Sequence, residues 1–299
     1  MLRRPMLFFA SLVVDGALAG ALYALIALAF VVVYKASRLI NFALGEWVML
    51  AAMLVATGLN ALGLGLPAAL ALSGLGMVAL GLGVSRVILR RLVGQPLISF
   101  IMVTLGLGAL LRGASAVAFR GISSAIALPI PAEALAVHGV LVSTGKLAAA
   151  VIAVVVIAAV SRFFRRSRTG LALQAIADDQ QAAMGVGIDL DRHFAVTWAI
   201  AGALCVLGGT LWTFVSGGGL GLILVGLKVF PVVVIGGLDS IPGTIVGAVA
   251  LGILEAVAAG YLDPVVGGGF SSVAAYLVLI AVLFVRPYGL FGRPDVARV

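Results

Sequence analysis

Apolar residues in this chain are gathered into long runs separated by short polar stretches. A helix needs about 20 mainly apolar residues to cross the hydrocarbon core of a membrane. The pattern therefore predicts an all-α, polytopic transmembrane helical bundle of about 8–9 spans, with residues 1–299 forming a single transmembrane domain. The short run 222–236 is compatible with a re-entrant or strongly tilted element. The runs lie near residues 7–33, 44–59, 66–85, 97–117, 143–161, 192–215, 222–236, 242–259 and 270–285.

Composition supports a membrane protein. Hydrophobic residues make up 63% of the chain and charged residues only 10%, whereas soluble domains carry about 25% charged residues. Alternating ten-residue strands, typical of an outer-membrane barrel, are absent from the sequence. The net charge of +8 is explained by basic cytoplasmic loops rather than by nucleic-acid binding. Cys205, the single cysteine, can form no disulfide within the chain.

The basic residues predict the orientation of the spans in the inner membrane, because Lys and Arg collect on cytoplasmic loops. Nine crossings with the N-terminus outside leave five basic residues on the outer side and Arg112 within a span. An eight-span arrangement with the N-terminus inside is the alternative, and residues 162–192 are cytoplasmic in our interpretation. The thirteen basic residues on inner loops are Lys35, Arg38, Arg86, Arg90, Arg91, Arg162, Arg165, Arg166, Arg168, Arg192, Arg286, Arg293 and Arg298.

The N-terminus also has features of a signal peptide. Two arginines precede the apolar run 6–14, and residues 17–19 form a cleavage-like Ala-Leu-Ala triplet. Asp15 interrupts the approach to that triplet, and the apolar run continues to Val33. These features favour a complete membrane span over a cleaved signal peptide.

The loop 162–192 is the most charged part of the chain and predicts two short helices. Thr169 can cap a helix at 171–177, and Asp178 with Gln181 has capping-box spacing for a second helix at 179–184. Two glycines then supply a left-handed, helix-ending turn, at Gly185 and Gly187. Helices this short are unstable alone in water. A pair that docks into a groove of another protein and an ordinary connector with lipid-contacting arginines are both compatible with this pattern.

Residues 170–187, GLALQAIADDQQAAMGVG, resemble the cytoplasmic coupling segment of permeases in branched-chain amino-acid ABC importers. Members of that family usually carry an Arg-Ala pair, an acidic, Ala-rich stretch and a Gly-Ile ending. Gln174 stands where the arginine is usual, and Gly187-Ile188 retains the ending. The residues that the resemblance implies in ATPase coupling are Gly170, Gln174, Ala175, Asp178, Asp179, Ala182, Ala183, Gly185 and Gly187.

Further blocks resemble the same family in order and spacing, from Gly20 to Gly292. They match the family's G-x-x-Y-A-L and I-N-F-A-x-G-E elements, and Asp239 is a mild departure from the pattern in the fourth block. The blocks are GALYAL at 20–25, INFALGE at 40–46, GLK at 226–228, GGLDSIPG at 236–243 and RPYGLFG at 286–292.

The resemblance implies an ABC importer permease with several partners. These are ATP-binding cassette subunits on the cytoplasmic face, a second permease subunit, and a periplasmic or lipid-anchored substrate-binding protein. The chain would bind no cofactor itself, since ATP is used by the partner subunits, and it would not be an enzyme. The alternative is a stand-alone secondary transporter or channel for a small solute. Branched-chain amino acids, other amino acids, urea and amides all remain open as substrates.

Polar residues at membrane depth are candidates for function. Asn41 and Glu46 are predicted to mark a broken helix beside the translocation pathway or gate. The alternative is that Glu46 lies at the start of a cytoplasmic helix, near the favourable positive end of the helix dipole. Glu255 is predicted to pair with Arg112, which would lower the cost of inserting both charges into the membrane. Contact of Glu255 with the substrate is the alternative.

The remaining candidates have structural interpretations. Asp15 and Lys228 are predicted to be anchors near the outer interface. Gly243, Gly247 and Gly252 form a stripe of small residues that predicts close helix contact. The solitary histidines, His138 and His193, lack the spacing of metal ligands, and no metal site is predicted.

Overall fold

The computed structural model describes residues 3–89, 92, 95–131, 133–137 and 140–292. These residues are almost entirely helical, with a short π-helical segment at Ser85–Leu89 and a 3-10 turn at Gly219–Gly221. The α-helices are α1 (Arg3–Ser37), α2 (Leu44–Asn60), α3 (Leu66–Val84), α4 (Leu97–Ala118), α5 (Thr144–Arg166), α6 (Arg168–Asp178), α7 (Gln180–Gly185), α8 (Leu190–Ser216), α9 (Leu222–Gly236), α10 (Ile241–Tyr261), α11 (Asp263–Val266) and α12 (Phe270–Val285).

Each predicted apolar run is a helix. Within the part of the chain that the structure describes, seven helices are long and apolar enough to cross a membrane, and α2 and α12 are shorter apolar helices. The polytopic α-helical fold is therefore confirmed. The run 222–236 is a continuous helix that contains Pro231, and with the preceding 3-10 turn it forms a candidate span of 18 residues. Helix α1 runs unbroken through the cleavage-like triplet at 17–19.

The loop between α4 and α5 contains the two strands of the described part of the chain. Two four-residue strands, β1 (Ala134–Val137) and β2 (Val140–Ser143), pair antiparallel. The register places Ala134 opposite Ser143 and Val137 opposite Val140. The hairpin leads directly into α5, where the Thr144 hydroxyl donates to the Pro131 carbonyl at 2.7 Å. His138 and the glycine after it lie outside the described residues.

The chain divides into two compact units, with boundaries inside α1, α5 and α9 and in the loop after α4. One unit comprises residues 28–128 and 157–227. Its core is the mutual packing of α2, α3 and α8, with the Trp47 and Trp198 rings 5.0 Å apart. The Ser73 hydroxyl of α3 donates to the Ala51 carbonyl of α2 at 2.8 Å.

The other unit comprises residues 1–27, 129–156 and 228–299. Helix α10 is its centre, because glycines bring both α1 and the end of α9 against it. A Cβ at Gly20 would lie 2.7 Å from the Val249 Cα atom, and one at Gly247 would lie 2.7 Å from the Val232 carbonyl oxygen. The predicted small-residue stripe of α10 is thus confirmed as a packing feature.

Two of the recognised sequence blocks meet at the end of α9. Gly237 adopts a left-handed φ of 103°, and Ser240 caps α10 by accepting from the Gly243 amide at 3.1 Å. The C-terminal block returns to this turn, where the Leu290 amide donates to the Ile235 carbonyl at 2.8 Å. The chain therefore turns sharply between α9 and α10 at Gly237.

A hydrogen-bonded clasp closes the loop between α10 and α12. The Asp263 carboxylate accepts from both the amide and the hydroxyl of Ser271, each at 2.8 Å. These hydrogen bonds favour the charged form and lower the pKa of the Asp263 carboxyl below its ordinary value. The clasp fixes the start of α12, whose flanking Gly269 has a left-handed φ of 103°.

Glycine contacts in the α2–α8 interface should be sensitive to one methyl group. A Cβ at Gly209 would lie 2.7 Å from the Val48 carbonyl oxygen, whereas a Cβ at Gly74 would meet nothing within 4 Å. Gly209→Ala should lower the free energy of unfolding by about 1–3 kcal/mol through overpacking. Gly74→Ala, at a half-buried position of α3 with room for a methyl group, should leave the free energy of unfolding unchanged or raise it by up to about 1 kcal/mol through helix propensity.

The measurement is the midpoint of thermal unfolding of each purified variant in one detergent. Both substitutions replace glycine by alanine within a helix. The difference between their unfolding midpoints therefore measures the effect of packing on stability. Equal midpoints for the two variants would contradict the close approach of α2 and α8.

Candidate functional site

The charged loop folds into the helices α6 and α7, as predicted, but with different caps. Ser167, not Thr169, caps α6: its hydroxyl accepts from the Gly170 amide at 2.9 Å. The predicted cap is wrong because Ser167 has the extended backbone that a cap requires, while residue 169 is already helical. Asp179, not Asp178, caps α7 and accepts from the Gln181 and Ala182 amides, both at 2.9 Å.

The end of α7 agrees in part with the predicted turn. Gly187 adopts a left-handed φ of 85°, which confirms the turn at that position. Gly185 is the last residue of α7 instead, so the prediction of a left-handed turn there is wrong. The Ile188 amide donates back to the Ala183 carbonyl at 3.0 Å, which closes the helix end in the usual manner.

Some residues of the predicted coupling set hold the helix pair in place rather than facing outward. Gly170 and Ala183 are buried. A Cβ at Gly170 would lie 2.5 Å from the Phe164 carbonyl oxygen, so only glycine allows α6 to fold back this tightly on α5. The half-buried Gln174 donates to the same carbonyl at 3.3 Å. Gln174 therefore has a partner within the chain at the position where the family usually has arginine.

The other predicted residues are exposed, and they share the surface with apolar side chains that the sequence prediction missed. Leu171 is 56% exposed, Met184 52% and Val186 78%. Such side chains on an otherwise polar loop leave apolar area without a partner. Helical spacing could have found Leu171, because it lies four residues before Ala175 and opposite the buried Leu173 and Ile176. The exposed predicted residues are Ala175, Asp178, Asp179, Ala182, Gly185 and Gly187.

Arg38 links this helix pair to the loop after α1, a contact that sequence reasoning did not anticipate. Its Nε donates to the Ala177 carbonyl at 3.3 Å, and its guanidinium lies 3.9 Å from the Asp178 carboxylate. Arg38 is the described non-glycine residue with a left-handed backbone, φ 56°. Its side chain also lies over the Tyr34 ring, 5.9 Å from the centroid.

The loop 38–43 interrupts the helices at membrane depth. The Phe42 amide donates to the Thr104 hydroxyl at 3.4 Å, and Thr104 lies about 10 Å along α4 from the start of that helix. Asn41 is buried, and its side-chain oxygen accepts from the Ala43 amide at 3.0 Å. Side chains thus satisfy backbone groups that no helix satisfies here, as a broken membrane helix requires.

Glu46 follows in the first turn of α2 and pairs with Arg112. The guanidinium lies 2.6 Å from the carboxylate, whose side chain is 6% exposed. The carboxylate packs on the bare backbone of Gly108, where a Cβ would lie 3.2 Å away. Since Gly108 is near the middle of the 22-residue helix α4, this pair lies deep within the span. Asn41 and Glu46 are therefore both in the same interrupted region.

Glu255 does not pair with Arg112, so that prediction is wrong. Its carboxylate accepts from the Tyr23 hydroxyl at 2.8 Å and lies 3.1 Å from the Lys228 ammonium. The error arose because hydropathy shows which spans carry a charge but not which spans are neighbours. Each such charge costs about 2.5–3.5 kcal/mol on membrane-insertion scales, so the pairing reduces the cost of both.

The two predicted interfacial anchors differ in outcome. Asp15 forms an ion pair with Lys146 at 2.6 Å, with side chains 51% and 29% exposed. Lys228 is instead near the middle of the 18-residue span 219–236, so its predicted place near the outer interface is wrong. Among the described residues, no three His, Cys, Asp or Glu side chains are grouped to hold a metal ion.

Apolar helices that carry ion pairs within their spans, with a short helix pair on a basic loop, define a multi-pass membrane transport protein. The chain belongs to the family of permease components of branched-chain amino acid transport systems, whose family model matches residues 12–285. The predicted family, the multi-pass location in the inner membrane and the function as a permease subunit of a transport system are thereby confirmed. The family is one of permeases rather than enzymes, and it favours an importer subunit over a stand-alone transporter.

Relatives in two bacteria match nearly the whole chain, and an archaeal relative matches part of it. The high-affinity branched-chain amino acid transport system permease protein BraD of Pseudomonas aeruginosa is 32% identical over 301 residues, 96% of each chain. The corresponding protein LivH of Escherichia coli is 30% identical over 313 residues, 98% of each chain. A probable branched-chain amino acid transport permease, LivH of Methanocaldococcus jannaschii, is 30% identical over 42% of each chain. No solved structure gives a significant match.

The Glu46–Arg112 pair can be tested by a double-mutant cycle. Arg112→Met leaves the buried carboxylate without its cation and should lower the free energy of unfolding by about 1–3 kcal/mol. Adding Glu46→Gln removes the stranded charge, so the double variant should recover at least part of that loss.

Thermal unfolding midpoints in detergent measure the cycle, and Lys146→Met, in the exposed Asp15–Lys146 pair, is the control with little expected effect. Additive losses from the two substitutions would show that Glu46 and Arg112 are not coupled.

Proposed function

We propose that this chain is the translocating subunit of an ABC importer for branched-chain or related amino acids, and that residues 170–187 dock on an ATP-binding subunit. We infer the docking site from the outward surface of α6 and α7. That surface presents apolar side chains, while buried contacts of the same helices hold it on the end of α5. We also propose a second permease subunit and a substrate-binding protein as partners, as in the transport systems of the family.

Both sides of the helix pair support this proposal. On the inner side, the tight Gly170–Phe164 contact and the buried side chains of Leu173 and Ile176 fix the helices on the membrane domain. On the outer side, Leu171 and Met184 offer area whose burial would give about 25 cal/mol per Å². A surface fixed on one side and unpartnered on the other suits transmission of a movement from a bound protein.

The contacts of Arg38 provide a route for that movement. When an ATPase displaces α6, the hydrogen bond to Ala177 and the ion pair with Asp178 pull on the residue that begins the loop 38–43. That loop contains Asn41 and leads into Glu46. Coupling of this kind needs an element with two arrangements, each favoured by a different bound state. We propose the interrupted region at Asn41 and Glu46 as that element, beside the pathway or gate.

The docking surface is tested by charge substitution at exposed alanines. Ala175→Glu and Ala182→Glu place a bulky charge on the outward surface without disturbing buried contacts. Each should weaken co-purification of the ATP-binding subunits about tenfold or more and lower ATP-driven leucine uptake with it. The control is Ala136→Glu, at an exposed alanine of the β-hairpin, which should retain both.

The measurement is the ratio of ATP-binding subunit to permease after affinity purification, together with uptake of labelled leucine into proteoliposomes. Full binding and uptake by both α6–α7 variants would place the docking surface elsewhere. A wild-type chain that never binds an ATP-binding subunit would overturn the proposed function itself.

A further inference from the structure

We propose that Lys228 and Glu255, together with Tyr23, form a binding site within the membrane for the charged head group of a zwitterionic amino acid. The inference rests on the proposed transport function and adds to it a set of residues and a substrate class. The site lies in the unit formed by residues 1–27, 129–156 and 228–299.

The three side chains reach a common level because helical side chains tilt toward the N-terminus of their helix. Helices α1 and α10 are antiparallel, with Gly16 beside Gly252 and Gly20 beside Ala248. Tyr23 and Glu255 each lie one turn beyond these contacts on their own helix, so their side chains approach each other from opposite directions. They meet in the hydrogen bond from Tyr23 to Glu255, and Glu255 lies within the 21-residue helix α10.

Each oxygen of the Glu255 carboxylate has a different partner. Tyr23 donates to Oε2 at 2.8 Å, and the Lys228 ammonium lies 3.1 Å from Oε1. The Glu255 side chain is 13% exposed and the Lys228 side chain 25% exposed. Tyr23 thus fixes one oxygen of the carboxylate, while the other faces the more accessible and more flexible partner.

Packing does not require these charges. Glycine contacts already hold α1 against α10, and further glycines hold the end of α9 against α10. An apolar pair of similar volume would satisfy the same interface, and such replacements of buried ion pairs are often neutral or stabilising. Ionisable groups in the middle of a membrane span are therefore best explained by a ligand that needs them.

The chemistry of the pair fits an α-amino acid. Its ammonium and carboxylate are attached to one carbon, and both need partners when water is removed. Glu255 can accept from the substrate ammonium while Lys228 donates to the substrate carboxylate, through charge-assisted hydrogen bonds. One ion pair is then replaced by two, with no change in net charge. Without substrate, Lys228 and Glu255 neutralise each other. Urea and simple amides carry no such pair of charges, so this site selects zwitterions.

The test separates a ligand site from a structural ion pair. Single variants, Lys228→Met or Glu255→Gln, leave an unpaired charge and lower uptake under either explanation. The double variant Lys228→Met/Glu255→Gln removes both charges, so a structural pair would be dispensable in it. The matched control is Asp15→Asn/Lys146→Met, which neutralises the other ion pair of the same unit.

Each form is assembled with its permease, ATP-binding and binding-protein partners in proteoliposomes, and ATP hydrolysis and uptake of labelled leucine are measured. The double variant should hydrolyse ATP within about twofold of the wild type while uptake falls about tenfold or more. The control should retain both activities. Uptake by the double variant within about twofold of the wild type would overturn the site and leave the proposed function intact.

Two further outcomes also have a defined meaning for the proposal. If the wild-type complex takes up no leucine, the proposed function fails and this site fails with it. If the double variant does not assemble, a diazirine analogue of leucine is cross-linked in the wild-type complex during turnover. Labelled peptides from α1, α9 or α10 support the site, and labelling confined to other helices overturns it.

Discussion

Polar groups within the hydrocarbon core must find their partners inside the protein, because lipid offers none. The rest of the structure depends on this constraint. Glu46 is held by Arg112, and Glu255 by Tyr23 and Lys228. Where the backbone leaves the helix between α1 and α2, the side chains of Asn41 and Thr104 accept from its amides. The break between α1 and α2 and the two ion pairs therefore have partners within the chain.

The same constraint explains the use of glycine. Helices in lipid gain little from apolar burial against each other, so close backbone approach supplies the attraction. The chain contains 39 glycines, and those of α1, α8 and α10 leave no room for a side chain. Rigid contacts of this kind allow ion pairs to lie between helices without being needed to hold them together. Those ion pairs are then available for a substrate or for a change of state.

Outside the membrane, apolar groups rather than polar groups need a partner within the protein or on another protein. Ser167 and Asp179 cap α6 and α7 by accepting from backbone amides at the start of each helix. The apolar side chains of Leu171, Met184 and Val186 remain exposed. Unpaired polar groups are costly in lipid, and uncovered apolar groups are costly in water. A partner protein that covers this surface would remove the cost, and the contacts of Arg38 would connect that partner to the interrupted region at Asn41.

Much of this arrangement could be predicted from the sequence, because hydropathy indicates where the spans lie and the recognised blocks indicate the family. The helix pair in the loop was predicted with its ends displaced by a few residues, since several neighbouring residues could each act as a cap. The side-chain pairs that join different helices could not be predicted from the sequence. Glu255 was assigned to Arg112 rather than Lys228, because pairing depends on which helices are adjacent. The left-handed backbone of Arg38 has no signal in the residue type, since arginine rarely adopts it.

The central claim is that the outward surface of α6 and α7 is covered by an ATP-binding subunit. It is tested most directly by Ala175→Cys labelling with a membrane-impermeant maleimide in inside-out vesicles, where the native Cys205 is buried and shielded. The chain alone should be labelled rapidly, and the ATP-binding subunits should protect it from labelling. Equal labelling with and without those subunits would contradict it.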